Sequence, residues 1–121
     1  MVTLVHRTDR ESVTADRDGL IEAVEANLDA VYDELYERAQ QALDDGINDA
    51  STTEEVIDLI EETGGYVRAP WCGDPTCEEP VKEAVAADIV MVPLDEVDAP
   101  DSACLACESD AETTAYFAKT Y

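Results

Sequence analysis

Lysine is nearly absent. Lys82 and Lys119 are the only two in 121 residues, and 7 basic side chains stand against 30 acidic ones for a formal net charge of −23. A surface of that sign repels phosphate backbones, which argues against a bare nucleic-acid-binding module at low salt. No apolar run approaches the ~18 residues that cross a bilayer. No charged start leads into an apolar stretch and a small-residue cleavage site, so the expectation is a chain without secretory signal or membrane span, working in the cytoplasm. Histidine occurs once, as His6, in an expected strand near the terminus, where it reads as a strand residue rather than a catalytic one. No phosphate-cradling glycine loop is present, because Gly64-Gly65 lacks both the spacing and the following helix. Asp and Glu are so abundant that no pair stands out as acid and base.

Hydrophobic residues still make up 45% of the chain. A domain of this length buries about two-thirds of the surface its unfolded chain exposes. Disorder needs low hydrophobicity as well as high charge, so an acidic tail is excluded. One ordinary domain fits, or a small domain with a piece of another. The acid is spread over every segment, with no single block. Such a surface suits ~1 M salt, where the Debye length is ~3 Å and self-repulsion is screened. The composition is therefore read as that of a cytosolic protein from a salt-loving organism.

Residues 2–14 alternate around Val2, Leu4 and His6, turn at Thr8-Asp9-Arg10-Glu11 and resume at Ser12-Val13-Thr14, which predicts a β-hairpin. A lone hairpin is marginal in water and should belong to a larger sheet. From about Arg17 to Asp45, Ile21, Val24, Leu28, Val31, Leu35, Ala39 and Ala42 recur at three- and four-residue steps. That predicts a long helix burying this stripe, capped by Asp16 or Asp18 and closed by Gly46. Tyr32 and Tyr36 read as packing residues. Thr52 with Glu55 forms a capping box for a second helix carrying Val56, Ile57, Leu59 and Ile60. Gly64-Gly65 stops it. The two helices are expected to pack as a pair, joined by a link over Gly46–Ser51. Tyr66–Trp71 reads as a strand, and Asp74-Pro75 as a short helical start. Pro80 is tolerated only near the first turn of the helix carrying Val81, Ala84 and Val85. Ile89–Leu94 reads as a strand, Val97–Ala103 as a loop and Thr113–Tyr121 as a final strand.

The four cysteines stand as Cys72-x4-Cys77 and Cys104-x2-Cys107, with 26 residues between the pairs. Each pair lies in a tight turn and can present two sulfurs to one point. Four thiolates suit tetrahedral zinc, and a closed set of four leaves no position for substrate, so such a site is structural. Two disulfides would need an oxidising compartment, of which there is no sign. An iron–sulfur cluster also takes four cysteines, and free thiols remain a further alternative. Backbone N–H groups of the turns, from Gly73 and Ala106 for example, should offset part of the negative charge. Structural zinc contributes on the order of 10 kcal/mol to the folding of small sites.

The stretch GGYVRAPWCGDPTCEEPVKEA (64–84), then CLAC (104–107), then the ending YFAKTY (116–121) resembles the C-terminal zinc-binding domain of archaeal/eukaryotic-type prolyl-tRNA synthetases. The resemblance runs from about residue 2 to the end. In that family a strand like VTLVHR closes the anticodon-binding domain, and a long helix leads into the zinc domain. The resemblance implies residues 1–16 as the end of the anticodon-binding region and 17–121 as the zinc-binding domain, with a leading helix pair over 17–63. It implies Cys72, Cys77, Cys104 and Cys107 as ligands of a structural zinc. It also implies that Tyr121 is the terminal tyrosine whose carboxylate reaches toward the catalytic domain. The parent enzyme implied is a homodimeric class II ligase that activates proline with ATP and magnesium and esterifies it to tRNA(Pro). Its catalytic motifs are not in these residues, so this piece alone is expected to be inactive. Two departures stand out: the family often has glycine after the last cysteine, where Glu108 stands here, and a charged helix former where Pro80 stands.

The fold expected is α+β: a small, mainly antiparallel sheet packed with helices and one structural zinc site, preceded by a long helix and an N-terminal hairpin. Two other functions compete. A free-standing zinc-ribbon-like module for RNA or protein would want a basic stripe around the cysteines, yet residues 72–112 contain only Lys82 as a base. A thiol oxidoreductase using Cys104-x2-Cys107 would want those cysteines at a helix start.

Overall fold

The computed structural model describes residues 1–95 and 101–121, and the chain divides into two compact units, residues 1–44 and 45–121. Of the expected loop Val97–Ala103, residues 97–100 lie outside the described residues.

In the first unit, β1 (Val2–Val5) pairs antiparallel with β2 (Ser12–Ala15), placing Leu4 opposite Val13. A 3₁₀ turn over Arg17–Gly19 leads into α1 (Leu20–Asp45). Asp16 stands at the cap position but makes no side-chain capping bond. The hairpin and helix are as expected; the buried stripe is not, because no residue of α1 is buried. Leu4, His6 and Val13 face Ala23, Ala26, Asn27 and Ala30. Of the stripe read as core, Ile21, Val24, Leu28 and Leu35 are exposed and Val31 is half-buried, and Tyr32 and Tyr36, read as packing residues, are exposed too. The rings of Tyr32 and Tyr36 stack on each other, with centroids 6.4 Å apart.

In the second unit, α2 (Thr53–Glu62) starts at the predicted cap. Thr52 Oγ1 accepts the Glu55 N–H at 3.3 Å, and the Glu55 carboxylate accepts the N–H of Ser51 at 2.7 Å. The expected link over 46–51 carries a strand, β3 (Ile47–Asp49). Then follow β4 (Tyr66–Trp71), a 3₁₀ turn Pro75–Cys77, α3 (Glu79–Val85), β5 (Ala87–Met91) and β6 (Thr113–Lys119). Pro80 lies in the first turn of α3, where its missing N–H costs nothing. The strand expected over 89–94 sits earlier, because Ala86 closes α3 in the left-handed region (φ 54°) and the chain extends directly from there.

The sheet runs β3-β4-β6-β5, parallel between β3 and β4 and antiparallel elsewhere. Val67 and Ala69 on β4, Ala115 and Phe117 on β6, and Ala87 on β5 are buried with Val56 and Ile60 of α2 and Val81 and Val85 of α3. Alternation along each strand supplies this face. Helix α2 packs on α3, β4 and β6.

Candidate metal centre

Two short turns present the cysteines. Cys72 follows β4 directly, and Gly73 adopts φ +88°, a left-handed conformation that turns the chain back at once. Asp74 then organises the turn. Its carboxylate accepts the N–H and the hydroxyl of Thr76 at 2.9 and 2.8 Å, while its carbonyl accepts the Trp71 indole N–H at 3.0 Å and the Cys77 N–H at 3.1 Å. The Thr76 bonds hold the Asp74 carboxyl below its ordinary value.

The second turn is a small loop closed on itself. Cys104 N–H donates to the Ser109 carbonyl at 2.8 Å, and Ala103 bridges Asp110. Leu105 ties it to the rest of the unit: its N–H donates to the Pro70 carbonyl at 2.9 Å and its carbonyl accepts the Thr53 N–H at 3.1 Å. Glu112 N–H donates to the Trp71 carbonyl at 2.9 Å. Sequence reasoning missed these fasteners. They are backbone atoms, which any residue type supplies, so no residue pattern signals them.

The four sulfurs converge, all within 4.8 Å of one another. Cys72 Sγ lies 3.7 Å from Cys77 Sγ and 3.7 Å from Cys107 Sγ. Sulfurs about 2.3 Å from a tetrahedral zinc are about 3.8 Å apart, so the set fits such an ion. All four are free thiols, with Cys77 and Cys104 buried and Cys72 and Cys107 half-buried. Burial pushes the Cys104 thiol up, but hydrogen bonds from the backbone of Ala106, Cys107 and Cys72 outweigh it and bring the group down to about 7. Ala106 therefore plays the part expected of it. At Cys72 the backbone hydrogen bond comes from Asp74 rather than Gly73, and burial with the neighbouring sulfurs still leaves that thiol raised. Burial, reinforced by the other three sulfurs, pushes Cys77 up strongly. One thiol is thus poised to ionise and two resist, and a bound dication would favour the thiolate form of all four.

Glu108 causes no strain. Among the described residues only Arg10 and Ala86 have a positive φ without being glycine. Cys104 and Cys107 lie in a loop ahead of β6, not at a helix start. Lys82, the only base of residues 72–112, is tied to Asp88 at 2.7 Å. Tyr121 is not part of the cysteine cluster; it is fully exposed beyond the end of β6, beside the Gly64-Gly65 turn. No helix among the described residues is long and apolar enough to cross a membrane.

A family model described as prolyl-tRNA synthetase, C-terminal, matches residues 53–121, which include all four cysteines. A proline–tRNA ligase of Haloarcula marismortui is 51% identical over 120 residues, covering 98% of this chain and 25% of that protein. One of Halorubrum lacusprofundi is 47% identical over 125 residues, covering 99% and 26%. A solved prolyl-tRNA synthetase from Cryptosporidium parvum, complexed with L-proline and AMP, superposes with a TM-score of 0.84. It covers 98% of this chain and 25% of its own, and at 24% identity it shows the shared fold. This chain thus spans about a quarter of the length of these relatives. The haloarchaeal relatives agree with the acid-rich, lysine-poor composition. By the matched segment and its cysteine turns, the chain belongs to the prolyl-tRNA synthetase C-terminal family.

Proposed function

We propose that this chain is the C-terminal part of a proline–tRNA ligase and that its own contribution is structural, through one zinc held by Cys72, Cys77, Cys104 and Cys107. The convergence of four free sulfurs, all within 4.8 Å of one another, in the family-matched segment carries the reading. The zinc would fasten the end of β4 to the loop ahead of β6, two segments distant in sequence. With all four positions taken by sulfur, no site is left for substrate.

In this reading residues 1–16 end the anticodon-binding region, and residues 17–121 form the zinc-binding domain with its leading helices. Tyr121, exposed and outside the sheet, docks toward the catalytic domain. Joining proline to tRNA(Pro) with ATP and magnesium belongs to the parent chain, a cytoplasmic homodimer.

Elemental analysis of chain purified in high salt without added zinc tests the proposal. One zinc per chain is expected, lost together with the folded signal on chelation. No metal, with reversible oxidation of Cys104 and Cys107, overturns it in favour of thiol redox chemistry; iron in place of zinc overturns the choice of ion. ATP–pyrophosphate exchange should be absent from this chain alone, and turnover would overturn the placement of catalysis elsewhere.

A further inference from the structure

A second set of metal-ligating atoms converges in the first unit, between the hairpin turn and α1. His6 follows the end of β1, Asp9 sits in the turn and Glu34 lies in mid-helix. His6 Nδ1 is 3.1 Å from Asp9 Oδ1 and 3.7 Å from Glu34 Oε2, and the three donor atoms lie within 4.8 Å of one another. Two ligands about 2.1 Å from a tetrahedral zinc are about 3.4 Å apart, so the observed pairs bracket that geometry.

The surroundings hold each donor in place. His6 N–H donates to the Glu11 carbonyl at 2.7 Å and Arg10 N–H to the His6 carbonyl at 3.0 Å, which closes the turn around Arg10 at φ +69°. Asp9 Oδ1 accepts the Glu11 N–H at 2.8 Å. The Thr8 hydroxyl donates to Glu34 Oε2 and lies 2.9 Å from His6 Nδ1. Arg38 grips the other Glu34 oxygen, Oε1, leaving Oε2 turned to the cluster. The His6 side chain is only 12% exposed, and among the described residues its buried Nε2 has no hydrogen-bond partner. Nδ1 is the ring nitrogen that faces Asp9 and Glu34.

We propose that His6 Nδ1, Asp9 and Glu34 form a second metal site, for a divalent transition ion of the zinc class. One imidazole and two carboxylates suit that class better than a hard, all-oxygen cation. Two carboxylates against one guanidinium leave a deficit of one positive charge beside the ring, and a dication reverses it. Three protein ligands leave a position open to solvent, unlike the closed set of four cysteines. Because His6 and Asp9 come from the hairpin and Glu34 from α1, the ion staples the one to the other. The proposal concerns residues 1–44 and stands or falls independently of the cysteine site.

The chain has a single histidine, so its ring proton signals report on this site alone. Zinc is titrated into the full chain in high salt, past the point where the cysteines are saturated. The expected result is one zinc more per chain than the cysteines take, with the His6 ring signals shifting in step with it. His6→Gln, which keeps a polar side chain, should lose that extra ion, and Glu34→Gln should weaken it about tenfold or more. Should His6→Gln lose the hairpin amide signals, Asp9→Asn is read in its place. Ring signals that respond to pH but not to zinc overturn the proposal, because the cluster then holds a proton only. An extra ion that survives His6→Gln also overturns it, assigning that ion to the acidic surface at large.

Discussion

Residues 1–44 contain no buried residue, while residues 45–121 contain every buried one among the described residues. The two halves use similar apolar side chains to different ends. In the second unit Val56, Val67, Val81 and Phe117 are shut off from water, and each such burial contributes about 1.5–3 kcal/mol. In the first, no side chain is buried, and Ile21, Leu28, Tyr32 and Leu35 remain in solvent. An apolar stripe of that extent, on a chain spanning a quarter of its relatives' length, contributes almost nothing to the stability of residues 1–44. The second unit should therefore unfold as the cooperative block, and the first should open at much lower cost.

Metal removal is the harshest way to probe that difference. If zinc holds the four cysteines, chelation should withdraw on the order of 10 kcal/mol from the second unit. Trp71 is the single tryptophan and donates its indole N–H to Asp74 inside the first cysteine turn. Its fluorescence should shift and the near-ultraviolet circular dichroism collapse, while amide signals from the hairpin persist. Unchanged Trp71 emission after complete metal loss would mean that packing alone holds the unit. Next comes Phe117→Ala, which should cost about 3–5 kcal/mol. The matching change in the first unit, Leu4→Ala, should cost about 1 kcal/mol. Melting both variants in the same high salt checks this, and equal losses would erase the distinction between the units.

What was legible in the sequence was local. The hairpin, the ends of α2 and the place of Pro80 each follow from a few adjacent residues whose backbone preferences agree. The cysteine pairing was legible too, since 72/77 and 104/107 each need only one turn to converge. The rest depends on distant partners. Strand β3 is three residues, Ile-Asn-Asp, two of them poor strand formers. It exists because β4 offers a parallel edge to Ile47, Asn48 and Asp49, which no window around residue 47 reveals. The stripe of α1 was misread as buried because periodicity marks where large apolar residues lie, not whether a neighbour covers them. The His6–Asp9–Glu34 cluster escaped for a similar reason: 24 residues lie between Asp9 and Glu34, and acids are everywhere.

Gly64 and Gly65 offer a finer comparison inside the second unit. Both sit in the left-handed region, at φ +67° and +70°. A Cβ at Gly64 would meet nothing within 4 Å, whereas one at Gly65 would lie 2.5 Å from the Gly46 carbonyl oxygen. That oxygen accepts the Tyr66 N–H at 2.9 Å, so it cannot withdraw without loosening the start of β4. Gly64→Ala should cost about 1 kcal/mol, the ordinary penalty of a left-handed alanine. Gly65→Ala adds the backbone clash and should cost about 2–4 kcal/mol. Equal denaturation midpoints for the two variants would show that the chain reaches the Gly46–Tyr66 contact by another path.

The smallest effect expected is electrostatic, and its sign follows from the ion pairs of the second unit. Arg68 bonds both oxygens of Asp49, at 2.6 and 2.9 Å, and holds that carboxyl below its ordinary value against the opposing effect of partial burial. Hydrogen bonds from Lys82 and Thr120 do the same at Asp88. A carboxyl lowered on folding binds its proton more readily in the unfolded chain. Its stabilisation is therefore fully present above the unfolded value, near 3.8, and is lost as the pH falls through the lower folded one. Asp49 is largely exposed, so its share is at most about 1 kcal/mol after solvent screening. Salt should shrink it further, since at ~1 M the Debye length is ~3 Å. Asp49→Asn should flatten part of the acid limb of the stability profile in dilute buffer and leave it nearly unchanged in concentrated salt. An equal effect in both would mean that the bidentate geometry, rather than charge, joins β3 to β4.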